Sequence, residues 1–265
     1  MTNNLIYVYC LANSPPVLTG HNDLAILQSI KIGDFSVIYK RVSEDEFSEE
    51  NFKANLSDLK WLETNAREHV GVINLIMEND SVIPFKFGTI FQSEENLRKF
   101  ILDYSGSLHE NFLYINDKEE WAIKIYCDRI ALSHKIDELS EDAASLERQI
   151  MASSPGKAFL LRRKKTELIE NELDRLCKLY GQDYYNRLKN LSVSTSLNNL
   201  LPKDFTGRDD TMILNAVFLV SKSNVPDFTN TVDQLKKGNK SSGMFIEATG
   251  PWPPFSFISL KEKQR

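Results

Sequence analysis

From Leu132 onward the apolar residues keep a heptad beat: Leu132, Ile136, Leu139, Ala143, Leu146 and Ile150 lie 4, 3, 4, 3 and 4 residues apart, with charged side chains between them. That pattern is the a/d seam of a helix which must bury one stripe against a partner. Ser153-Ser154 breaks the run, and Pro155 suits the first position of a new helix. A second seam follows through Leu161, Leu168, Ile169, Leu173, Leu176 and Tyr180, with Gly181 as its stop. Two helices joined by so short a link predict an antiparallel helical hairpin over about 129–181, projecting as a coiled coil.

Strand-like segments flank the hairpin. Trp121 to Cys127 alternates before it; Leu191 to Leu197 and Met212 to Val220 follow around the loop Pro202 to Asp210. Val225 to Lys237 then reads as a helix and Gly243 to Ala248 as a last strand. The order β, long helices, β, β, α, β is ferredoxin-like with an enlarged first crossover. Upstream, Leu5 to Leu11 is strand material, and Ala25 to Ile32 with Phe35 to Val42 flank Gly33-Asp34 as a hairpin. Ser43 and Glu46 have capping-box spacing, Leu59 to Met77 is amphipathic, and Val82 to Phe91 is extended around Pro84. One helix is expected from Ser93 to Ile115, closed by Asn116-Asp117. The 265 residues therefore divide into an N-terminal mixed α+β domain, 1–116, and a C-terminal modified ferredoxin-like domain, 117–265.

Charge and motif content narrow the function. Net charge is 32 − 37 = −5, with a pI near 5.5, which argues against nucleic acid as the main partner. Arg162-Arg163-Lys164-Lys165 is a basic cluster, read as a solvated helix face paired with Glu167 and Glu170. No apolar run approaches the about 20 residues of a membrane span, and Met1 to Tyr9 lacks a basic leader, so a cytoplasmic location without membrane insertion is expected. Cys10, Cys127 and Cys177 are scattered within apolar patterns and read as buried thiols. His21 falls in a loop and His134 in a charged helix, and no metal-ligand spacing occurs, so neither metal nor cofactor is expected. Glu68-His69 are adjacent on a helix and do not face each other as an acid–base pair must, which leaves His69 a structural residue. Phosphate loops, nucleophile elbows and the basic-Gly-aromatic signature of RNA-recognition modules are missing from the sequence.

The most distinctive stretch is Gly250-Pro-Trp-Pro-Pro-Phe-Ser-Phe257. Its prolines fix φ and remove donors, holding the chain extended while Trp252, Phe255 and Phe257 are displayed around it. Those rings either pack on the sheet or offer a surface to a partner.

Together with Pro84-Phe-Lys-Phe-Gly-Thr89 and Phe91, the helix Trp61 to His69, and Pro155-Gly-Lys-Ala-Phe-Leu-Leu-Arg-Arg163, this stretch resembles the gas vesicle GvpF/GvpL family. The elements recur in the family's order across nearly the whole chain. Lys86 and Phe255 stand where the family frequently has Arg and Tyr, both with physical character kept. The resemblance implies a non-enzymatic accessory or minor structural protein of gas vesicles, the protein-walled buoyancy compartments of some prokaryotes. It further implies association with the vesicle and contact with its small hydrophobic shell protein GvpA. Trp252, Pro253, Pro254 and Phe255, with Phe85, Phe87 and Phe91, are the candidate contact residues. The competing readings are a cytosolic enzyme of unrecognised type and a ferredoxin-like RNA-binding module.

Overall fold

A computed structural model of the chain describes residues 4–15, 27–239 and 243–260, without the side chains of Asn4, Leu139 and Asn239. His21 and the heptad side chain of Leu139 therefore lie outside the described residues. The chain forms two compact units, which divide at Glu120/Trp121.

The first unit is built on β1 (Asn4–Ala12), with β2 (Gln28–Ile32), β3 (Phe35–Ser43), β4 (Val82–Pro84) and β5 (Ile90–Phe91). The sheet runs β2-β3-β1-β4, with β5 also paired to β1, and these pairings are antiparallel. Its helices are α1 (Glu44–Phe47), α2 (Glu49–Asn55), α3 (Leu59–Met77), α4 (Glu94–Asp103) and α5 (Ser105–Ile115). Ser43, Ser48, Asp58 and Ser93 each accept a hydrogen bond from a first-turn N–H, capping α1, α2, α3 and α4. The single helix expected over 93–115 is interrupted at Tyr104, whose backbone leaves helical geometry.

The central strand β1 is buried on both faces. Ile6, Val8 and Leu11 enter the core beneath α4 and α5, while Leu5, Tyr7, Tyr9, Cys10 and Ala12 enter the core beneath α3. Simple alternation would send Tyr9 and Cys10 to opposite faces; the register shifts between Val8 and Cys10, and this bulge turns both to the α3 side.

The second unit holds the sheet β7-β8-β6-β9, formed by β6 (Lys118–Cys127), β7 (Ser194–Leu197), β8 (Thr211–Ser221) and β9 (Met244–Trp252). Its helices are α6 (Arg129–Leu139), α7 (Glu141–Met151), α8 (Pro155–Lys189), α9 (Lys203–Thr206) and α10 (Val225–Asn239). Ile123, Ile125, Phe218 and Val220 of the sheet pack with Tyr184 and Leu188 of α8 and with Phe228 and Val232 of α10. Cys127 and Cys177 share a second small core; all three cysteines are buried and unbridged.

Three expectations are corrected here. The first heptad run is two helices, because Ser140 adopts an extended backbone and its side chain accepts from Ala143 N–H, with Glu141 and Asp142 complementing the new helix dipole. Helix α8 passes through Gly181 instead of ending there: a Cβ at that point would lie 3.1 Å from the Ile213 carbonyl oxygen, so glycine permits close helix–strand approach. Finally, the boundary expected after 116 falls after Glu120, and the segment from Pro251 groups with the first unit and not with 121–250.

Replacing Ser140 with Ala should lower stability by about 1 kcal/mol, whereas Asp, which keeps the cap, should leave it nearly unchanged. Denaturant titration of the three proteins checks this; equal midpoints for Ser140 and Ala reject the cap.

Candidate functional site

The proline-rich segment is tied to the first unit on its C-terminal side, through Ser256 and Ser259. Glu120, nearly buried, accepts at one carboxylate oxygen from Ser256 N–H (2.9 Å) and at the other from the Ser256 hydroxyl (2.8 Å). Burial pushes the Glu120 carboxyl above its ordinary pKa, although both Ser256 bonds oppose that shift. Further on, Asn111 of α5 reads the backbone of Ser259 in both directions: its amide nitrogen donates to the Ser259 carbonyl (2.8 Å), and Ser259 N–H donates to its side-chain oxygen (3.0 Å). Around the first anchor Phe257 N–H donates to the Pro254 carbonyl, closing a 3-10 turn, and Phe255 N–H donates to the Pro253 carbonyl two residues before it. Pro253 and Pro254 face inward. Trp252 and Phe255 are each 38% exposed.

The second motif, Pro84 to Thr89, is locked by a chain of polar contacts running into the core. The Phe85 carbonyl can only accept, which places the His69 proton on Nε2 (2.9 Å) and leaves Nδ1 to accept from the Tyr7 hydroxyl (2.9 Å). Tyr7 in turn accepts from Gly88 N–H at 3.3 Å. Burial pulls the His69 imidazole below its ordinary pKa, and the same cause pushes the Tyr7 and Tyr9 hydroxyls up. Beside them Tyr9 donates to Glu68, whose carboxylate also pairs with Lys40 at 2.6 Å; the Lys40 ammonium lies over the rings of Tyr7, Tyr9 and Phe47. Both His69 nitrogens are committed to protein partners, so this network ties α3, β1 and the Pro84–Thr89 loop together and leaves no imidazole nitrogen to act as a base. Gly88, at φ 80°, abuts the Phe52 ring: a Cβ there would lie 2.8 Å from Cε1.

The seven contact candidates separate accordingly. Phe85 is buried in the α4/α5 core, which removes it from any candidate surface, and Phe91 packs half-buried against that same core. Phe87 is half-buried among Phe52, Trp61, Tyr7 and His69. Pro253 and Pro254 are buried supports, so Trp252 and Phe255 alone keep substantial exposure. The sequence reading missed Glu120 and Asn111. The first ends the charged run Asp117-Lys-Glu-Glu120 and nothing local marks it out, and the second sits in the apolar pattern of a helix, where a polar residue implies a partner. The described residues contain no group of three or more His, Cys, Asp or Glu able to hold a metal ion. Two of their concavities are an open groove of about 960 Å³ between α6 and α8, floored by Leu132, Ile136, Leu168 and Leu176, and one of about 590 Å³ in the first unit, bordered by Phe47, Phe52 and Gly88. No helix among the described residues is long and apolar enough to cross a membrane.

The architecture is that of solved gas vesicle proteins. The crystal structure of GvpF from Anabaena sp. matches with a TM-score of 0.71 at 18% identity, covering 98% of this chain and 100% of that one. GvpF from Microcystis aeruginosa matches at 0.65 and 19% identity, over 97% and 99% of the two chains. Gas vesicle protein L of a Streptomyces species is 24% identical over 254 residues, 96% of this chain and 86% of the relative. Gas vesicle protein L of Haloferax mediterranei is 19% identical over 179 residues, 66% and 55% of the respective lengths. The model of the gas vesicle synthesis protein GvpL/GvpF family matches residues 5–259, and this chain belongs to that family.

Two changes test the buried network. Gly88→Ala combines a left-handed backbone with a collision against Phe52 and should destabilise by about 2–4 kcal/mol in a thermal melt. Because the folded state holds His69 neutral, its contribution is present above the ordinary histidine pKa of about 6.5 and declines as pH falls through that value. A His69→Gln variant should lose this component of the pH dependence; an unaltered stability–pH slope rejects the assignment.

Proposed function

We propose that this protein is a non-enzymatic accessory or minor structural component of gas vesicles, working in the cytoplasm in association with the vesicle. It binds the shell protein GvpA and supports assembly. Membership of the GvpL/GvpF family over almost the whole chain carries this reading. We read the second unit, with its strand order β7-β8-β6-β9, as a ferredoxin-like module whose first crossover is enlarged into a helical hairpin of α6, α7 and α8.

Trp252 and Phe255 are the aromatic anchors of the shell contact. A small hydrophobic subunit must be kept from premature self-association and handed to a growing edge, and a carrier does this by offering its own apolar surface. The proline segment is built for such a contact. Its backbone is preset by Pro251, Pro253 and Pro254, so presenting two rings loses little further conformational freedom on binding. Glu120 and Asn111 hold the segment in place from below.

Changing Trp252 and Phe255 together to Ala should weaken retention of the shell subunit by on the order of 2 kcal/mol per ring while leaving the thermal melt within about 1 kcal/mol of wild type. Affinity capture from cells co-expressing the vesicle proteins gives the first quantity and calorimetry the second. A folded double variant that still retains the shell subunit at wild-type strength rejects Trp252 and Phe255 as anchors. Normal vesicles in a strain lacking this protein and any paralogue reject the assembly role itself.

A further inference from the structure

The end of the helical region where α7 turns into α8 combines exposed apolar side chains with unpaired positive charge. Met151, Phe159 and Leu160 are 79%, 66% and 65% exposed. Around them stand Arg148, Lys157, Arg162, Arg163 and Lys164, all exposed and, among the described residues, all without an ion-pair partner. The spacing from Arg163 to Glu167 would allow a helical ion pair, but none forms, and Glu170 is engaged by Arg129 of α6. Of the basic run 162–165 only Lys165 is neutralised, turning inward to Asp137 (2.6 Å) and Glu147 (2.9 Å). Glu147 is the sole carboxylate between Asp142 and Glu167, so the turn carries a concentrated positive charge on a chain whose net charge is −5.

We infer that this surface docks an acidic amphipathic helix of a partner protein. Charge complementarity calls for a polyanion, and the arrangement selects among polyanions. On α8, Phe159 precedes Arg163 and Leu160 precedes Lys164 by four residues, so each exposed apolar side chain has a cation one turn further along, on the same face. The two rows match a helix that carries apolar residues and carboxylates one turn apart. A phosphate backbone offers nothing apolar to Met151, Phe159 and Leu160. A helix lying on a bilayer needs a broad apolar face, and at this end of the helices the strongly exposed apolar side chains are confined to Met151, Phe159 and Leu160. The surface lies wholly in the second unit and is separate from the aromatic anchors proposed above, so it stands or falls independently of them.

The test uses the full-length protein and a fluorescein-labelled synthetic helix with Leu and Glu one turn apart. Its comparators are a scrambled peptide of the same composition, phosphatidylserine and phosphatidylcholine vesicles, and a single-stranded RNA. The helix should bind in a salt-dependent manner and about tenfold tighter than its scramble. Arg162→Glu with Arg163→Glu, and separately Phe159→Ser with Leu160→Ser, should each weaken it about tenfold without shifting the thermal melt, since all four side chains are exposed. Equal binding of helix and scramble by the wild-type protein reduces the surface to bare charge and overturns the inference, whatever the variants do. Tighter binding of RNA or of phosphatidylserine vesicles than of the helix overturns it as well.

Discussion

The first unit depends on the bulge at Tyr9. A strand buried on both faces must divide its side chains between two cores, and a strict period of two would place Tyr9 or Cys10 on the wrong side. By turning both toward α3, the irregularity brings Tyr9 to Glu68 and leaves Tyr7 opposite His69. His69 then grips the Phe85 carbonyl, and Phe85 N–H donates to the Tyr9 carbonyl (2.9 Å), so the Pro84–Thr89 loop is held from two directions by neighbours of the bulge. Buried polar groups linked in this way enforce one packing arrangement, because any slip would leave several of them unsatisfied at once.

That dependence explains which parts of the fold were legible in the sequence. Strands announced by β-branched runs, such as Phe35 to Val42 and Met212 to Val220, and helices with a clear apolar stripe, such as Leu59 to Met77, were readable because the signal is local and repeated. The break at Ser140 was hidden by an uninterrupted heptad: apolar spacing records which side chains are buried, and the burial of both Ala143 and Ile136 survives a bend between two helices. Gly181 was misread because glycine both ends helices and admits a close neighbour, and only the position of Ile213 decides between the two.

For the candidate site, the motif residues were visible and their roles were not. Pro84 to Thr89 looks like an aromatic display, yet Phe85 and Phe87 are spent on packing, and the motif's fixed features are a carbonyl, an amide and a glycine that the His69 network and the Phe52 ring require. Gly250 to Phe257 keeps two rings outward because Pro253 and Pro254 occupy the inward positions. What holds it, Glu120 and Asn111, lies 136 and 148 residues away in sequence, beyond the reach of any local pattern.

Those separations bear on how the protein is made. The chain leaves the first unit at Glu120, builds the second, and returns at Pro251 to supply Ser256 and Ser259 to the Glu120 carboxylate and the Asn111 amide, left waiting just before the departure point. On the ribosome the N-terminal unit therefore begins first and finishes last. Closing a flexible loop of such length would lose considerable chain entropy, but the intervening residues form a folded body of their own, which shortens the effective loop once that body has formed. The aromatic segment thus reaches its display position only on a chain that has already completed both cores, so nascent or truncated copies would not present Trp252 and Phe255 as the finished protein does.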